Sequence, residues 1–96
     1  MEIRVQSIKF DADQKLLDFI DKKLGKLSKF LDNIIKVEVV LTLEPDHVKQ
    51  VKVMVAVPGD DLIIERAGAS FEDAINECAD LLKDMLVKVK EKRFGK

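Results

Sequence analysis

The sequence has no tryptophan, no tyrosine, one cysteine and one histidine. Five phenylalanines are its whole aromatic complement. That argues against binders that stack successive bases on flat rings, such as RRM and OB-fold modules. The lone cysteine, Cys78, cannot close an intramolecular disulfide and fits a reducing compartment. With His47 it supplies at most two metal ligands besides carboxylates, and no spacing resembles a zinc site, so no metal or other cofactor is expected. The opening "MEIRVQSIKF" lacks a charged segment followed by an apolar one, and no apolar run approaches a membrane span. A soluble, cytoplasmic protein with no membrane partner is expected. There is no glycine-rich phosphate loop and no Ser/His/Asp set, so neither enzymatic activity nor a small-molecule substrate is expected.

What the chain does contain is aliphatic. Hydrophobic residues make up 47 % and charged residues 36 % of 96 residues, enough for the core of one small domain over residues 1–96. Residues 3 to 10 alternate, with Ile3, Val5 and Ser7 on one face and Arg4, Gln6, Ile8 and Phe10 on the other; this reads as a strand. Asp11 or Asp13 can cap the helix that follows. From Asp13 to Leu31 the period becomes helical: Leu16, Ile20, Leu24, Leu27 and Leu31 fall within roughly 80° of arc at about 100° per residue. Gly25 would lie inside that helix, at a cost of about 1 kcal/mol relative to alanine.

Residues 34–43 read as a second strand with Ile35, Val37, Val39, Leu41 and Leu43 on one face. "EPDH" is a turn. Residues 48–57 form a third strand presenting Val51, Val53, Val55 and Val57, and "PGDD" turns the chain into a short fourth strand, "LIIERA". Ser70 to Asp73 resembles a capping box for a last helix to about Lys92, with Phe71, Ile75, Cys78, Leu82, Met85, Leu86 and Val89 as its apolar stripe. The order is βαβββα. Tight turns make the last three strands antiparallel, and the helical crossover makes the first parallel to the second. The expected fold class is α+β, in two layers, with both helices on one face of a four-stranded sheet.

The near-neutral total hides an asymmetry. Seventeen basic and eighteen acidic side chains leave a net charge of −1. Yet residues 22–36 carry five lysines against Asp32, and residues 83–96 carry six bases against Asp84 and Glu91, each a net +4. Residues 60–80 hold seven acids against Arg66. Cations at helix C-termini complement the helix dipole, so a solvated face explains part of this. Lys22, Lys26 and Lys29 nevertheless lack acids four residues on, and only Asp18 is well placed for Lys22. With both helices on one face of the sheet, the two segments can join into a basic surface suited to a phosphate backbone. Elsewhere, His47 reads as an exposed turn residue, Cys78 as a small core residue, and Asp60 and Asp61 as solvated.

The stretches "KKLGKLSKFLDNIIKVEVVLTLEPDH", "VAVPGDDLIIERA" and "SFEDAINECADLLKDMLVKVKEK" resemble the ribosome hibernation promoting factor / ribosome-associated inhibitor A family over about residues 1–92. The more specific elements are the spaced Lys-Leu pairs ending with Phe30, the long hairpin, the Pro-Gly turn and the opening Phe71-Glu72-Asp73-Ala74-Ile75-Asn76. The resemblance implies a protein that binds the small ribosomal subunit near the decoding centre and blocks mRNA and tRNA in stress or stationary phase. It implies ribosomal RNA contacts at Lys22, Lys23, Lys26 and Lys29 of the first helix and Lys83, Lys88, Lys90 and Lys92 of the second. It also implies the short form, without the C-terminal dimerisation domain of long members. The chain departs from the family's usual pattern at Leu81, Asp84 and Val87, and at "SIKF", where a glycine and a base are often found.

Two other readings compete. A double-stranded RNA-binding domain shares the αβββα core but places lysines at the start of its last helix, where this chain has Glu72 and Asp73. A protein-interaction or structural domain of the same fold would carry these lysines as solvated charge alone.

Overall fold

Asp13 opens the first helix by accepting a hydrogen bond from the backbone N–H of Leu16 at 2.9 Å, which satisfies one donor left over at the helix start. Ser70 does the same for the last helix, its hydroxyl accepting from the N–H of Asp73 at 3.1 Å. The computed structural model describes residues 2–92. Arg93 and Lys96 of the second basic segment lie outside the described residues. The elements are β1 (Glu2–Ile8), α1 (Gln14–Gly25), a 3-10 turn (Lys26–Lys29), β2 (Lys36–Leu43), β3 (Lys49–Val57), β4 (Asp60–Gly68) and α2 (Phe71–Lys90).

The sheet order is β1-β2-β3-β4, with β1 parallel to β2 and the other pairs antiparallel. Register aligns Ile3, Val37, Val55 and Leu62 in one row and Val5, Val39, Val53 and Ile64 in the next. These rows form the inner face. Leu16, Ile20, Leu24, Leu27 and Leu31 cover them together with Phe71, Ala74, Ile75, Cys78, Leu82 and Leu86, in one continuous core. Both helices therefore lie on the same side of the sheet, as expected. No polar or charged side chain is buried among the described residues.

The fourth strand is as long as the third and already includes Asp60 and Asp61 of the expected turn, and three further details differ from what the sequence leads one to expect. The α-helix stops at Gly25 and tightens into the 3-10 turn rather than continuing to Leu31. A Cβ added at Gly25 would meet nothing within 4 Å, so the glycine marks no close backbone approach. Second, Phe10 does not share the outer face with Arg4. Lys9 adopts φ 71°, and this left-handed residue throws the chain inward. Phe10 then stacks on Phe71 with ring centres 4.7 Å apart. Third, Ile34 is buried and Ile35 is 57 % exposed. β2 starts only at Lys36, so strand alternation does not extend back to Ile35, although its N–H donates to the Ala56 carbonyl at 2.8 Å.

Candidate nucleic-acid interface

The positions of the lysines follow from helix direction and length. β1, β2 and β4 run the same way, and each helix returns antiparallel to the strand before it, so α1 and α2 are parallel. Their N-termini share one end of the sheet, where Phe10, Asp13, Leu16, Phe71 and Glu72 line a common cavity. α1 spans about 18 Å and α2 about 30 Å at 1.5 Å per residue. The end of α1 therefore lies alongside the middle of α2, and the last turns of α2 run on alone.

A groove of about 320 Å³ marks that meeting. Lys23, Lys26 and Lys29 line it from one side and Lys83 from the other. Leu27, Phe30 and Ala79 give it apolar surface, and Asn76 and Asp80 add polar groups from α2. The Lys83 ammonium stands 5.4 Å from the Phe30 ring centre, and that of Lys23 stands 5.6 Å from the Phe19 ring centre. Both contacts are within cation–π range and hold the long side chains against the helices.

The other expected contacts separate from this groove. Lys88 and Lys92 line a second cavity, about 460 Å³, with Val89, the β3–β4 turn residue Gly59 and Asp60 at the start of β4. Lys22 and Lys90 are exposed and line neither cavity. Lys26 and Lys29 are the first and last residues of the 3-10 turn; at three residues per turn, positions three apart eclipse, so these two come into line at the groove.

The groove lysines carry unneutralised charge. Among the described residues the ion pairs are Arg4–Glu2, Lys36–Glu38 and Arg66–Glu77, and none involves a lysine of either cavity. Asp18, the acid best placed for Lys22, instead accepts from the Gln14 amide at 2.9 Å. Lys22 and Lys23 sit in the last turn of α1, and Lys88 and Lys90 in the last turn of α2, while Glu72 and Asp73 occupy the first turn of α2. The helix dipole accounts for that placement in part. It does not account for Lys83, which lies inside α2.

Asn76 and Asp80 are not among the expected RNA contacts: the sequence marks Asn76 only as the end of a helix-opening motif and Asp80 only as part of an acidic segment. Their spacing was the available signal: 76, 80 and 83 are i, i+4 and i+7, one face of a helix. The remaining reactive candidates are quiet. Cys78 is buried in the core, and burial pushes its thiol up to about 11, which disfavours the reactive thiolate. His47 is exposed at φ 67° in the β2–β3 turn. No group of three or more His, Cys, Asp or Glu side chains among the described residues is arranged to hold a metal ion. No helix among them is long and apolar enough to cross a membrane.

Residues 3–93 match the model of the family described as sigma 54 modulation protein / S30EA ribosomal protein. The chain is 30 % identical over 97 residues to a ribosome hibernation promoting factor of Azotobacter vinelandii, covering 98 % of this chain and 87 % of that protein. It is 30 % identical over 96 residues to a protein of the same name from Pseudomonas putida, covering 97 % and 90 %. These matches bear out the resemblance read from the sequence. Among solved structures, the N-terminal domain of Thermus thermophilus Protein Y superimposes with a TM-score of 0.85 at 23 % identity, over 93 % of this chain and 99 % of that one. A ribosomal subunit interface protein from Coxiella burnetii gives 0.86 at 20 % identity, over 94 % and 98 %. At those identities the two structures establish the shared βαβββα fold.

Proposed function

Since the chain belongs to the sigma 54 modulation protein / S30EA ribosomal protein family, we propose that it is a ribosome hibernation factor. In this reading it binds ribosomal RNA of the small subunit near the decoding centre, occupies the path of mRNA and tRNA, and silences idle ribosomes under stress or in stationary phase. The observation that carries the reading is the interhelical groove. Four lysines converge there with no carboxylate of the described residues within ion-pair distance, in a chain whose net charge is −1. A stable helix does not need such a cluster; a phosphate backbone supplies its missing counter-charge. The relatives named for ribosome hibernation direct the reading to the ribosome rather than to nucleic acid in general.

The test is co-sedimentation with isolated small ribosomal subunits at low and high salt. Wild type runs beside a variant carrying Lys23→Glu, Lys26→Glu and Lys29→Glu, with circular dichroism to establish that the variant is folded. Salt-sensitive pelleting of wild type, lost in the variant, is expected. Added mRNA and tRNA should reduce wild-type pelleting. A folded wild type that stays in the supernatant at low salt would leave the lysines as solvated charge and the protein as an interaction domain of the same fold.

A further inference from the structure

Asp80 is the anomaly of the groove. It lies among Lys23, Lys26, Lys29 and Lys83, yet forms no ion pair with any of them. Helix stability does not explain it. Asp80 is in the middle of α2, away from the N-terminal turn where a carboxylate is favoured. Its neighbours on the same face include Glu77 three residues before and Asp84 four residues after, both of like charge. Lys83, three residues on, extends over the Phe30 ring. Phosphate binding does not explain it either, because a carboxylate repels the ligand the lysines attract.

The groove has three kinds of surface: ammonium groups, an apolar patch at Leu27, Phe30 and Ala79, and the polar side chains Asn76 and Asp80. A nucleotide offers the complement to each. Its phosphate meets the lysines, the face of its base meets the apolar patch, and its edge meets the polar groups. The volume of about 320 Å³ is at the small end of ligand cavities, which run from about 300 to 1,000 Å³. It suits one splayed nucleotide and not a duplex. Unstacked RNA bases are read on their Watson–Crick edges. An ionised carboxylate has acceptors only, and guanine is the base that presents two adjacent donors there, N1–H and the N2 amino group. Its O6 remains an acceptor for an ammonium or for the Asn76 amide.

We propose that the interhelical groove takes one unstacked nucleotide of the bound RNA and that Asp80 selects guanine at that position. This rests on the ribosomal RNA reading and gives its central site a base preference.

The experiment uses short single-stranded oligouridine RNAs with the central base set to G, A, C or U, each titrated at low salt by fluorescence anisotropy. The proteins are wild type, Asp80→Asn, and the folded Lys23→Glu, Lys26→Glu, Lys29→Glu variant. Wild type is expected to bind the central-G oligomer about tenfold more tightly than the others, the discrimination of a bidentate pair. Asp80→Asn should abolish that ratio, and the lysine variant should weaken all four. Equal binding of the four oligomers by wild type, or no binding of any, overturns the inference. So does a uniform gain in Asp80→Asn with the ratio kept, which would make Asp80 only a repelling charge. The small-subunit sedimentation separates the two claims. Pelleting without guanine preference removes this inference alone, whereas no pelleting removes the ribosomal reading.

Discussion

The Lys83 ammonium sits 5.4 Å from the centre of the Phe30 ring, linking the middle of α2 to the residue that closes the 3-10 turn after α1. Cation–π contacts at exposed sites are worth about 0.5–1 kcal/mol. A double-mutant cycle with Lys83→Met and Phe30→Leu should give a coupling energy in that range by urea denaturation. A coupling near zero would mean that Lys83 is held by nothing but solvent.

Two backbone positions should each gain stability, one by losing a glycine and the other by gaining one. Gly25 has ordinary right-handed helical angles, φ −60° and ψ −25°, and open space where a Cβ would stand. Gly25→Ala should stabilise the protein by about 0.4–1 kcal/mol, through the unfolded chain. Lys9 has φ 71°, where an L side chain is strained. Here Lys9→Gly should be the stabilising change, by about 1 kcal/mol. Denaturation midpoints of the two variants check both signs.

The core should be far less tolerant than the lysines. Leu24 and Leu82 are each 0 % exposed and come from different helices. Leu24→Ala and Leu82→Ala should each cost roughly 2–5 kcal/mol, from lost burial plus the cavity left behind. Exposed Lys26→Ala should change stability by less than about 0.5 kcal/mol. Chemical denaturation of the three variants therefore separates the residues that hold the fold from a surface lysine that does not.

Cys78 predicts a pH effect with a definite sign. Burial raises its thiol from 9.0 to about 11 in the folded chain, so the unfolded chain ionises first. The contribution is fully present below pH 9 and is lost as pH rises from about 9 toward 11. Wild type should lose stability over that window relative to Cys78→Ala. In native buffer at pH 8, Cys78 should label with a disulfide reagent only as fast as the core opens.

How much of this was legible depended on whether one period held across an element. Val51, Val53, Val55 and Val57 alternate without interruption on a strand with one buried face, and all four are buried. The stripe Leu16, Ile20, Leu24, Leu27 and Leu31 was likewise readable, because a tightened last turn keeps its apolar side inward. Phe10 and Ile35 were misplaced because a left-handed residue and a loop each break the period, and no apolar pattern records either. The site was half legible. Lysines on two helices imply a basic surface, but a charge count does not tell that Lys23, Lys26 and Lys29 line the groove and Lys22 does not. That Lys88 and Lys92 line a separate cavity follows from the unequal lengths of two parallel helices.

This separation yields a prediction about salt. Each phosphate contact contributes about 0.7–0.9 to the slope of log affinity against log salt concentration, the lower value for single strands. Lys26 and Lys29 line the groove, whereas Lys22 and Lys90 are exposed and line no cavity. All four are lysines in the helical segments, and a charge count treats them alike. If geometry decides, the pair Lys26→Ala and Lys29→Ala should lower the slope of small-subunit binding by about 1.5. The pair Lys22→Ala and Lys90→Ala should lower it by less than about 0.5. Equal losses from the two pairs would mean that the ribosome senses the total charge of the helix ends, and that the groove confers no position-specific contact.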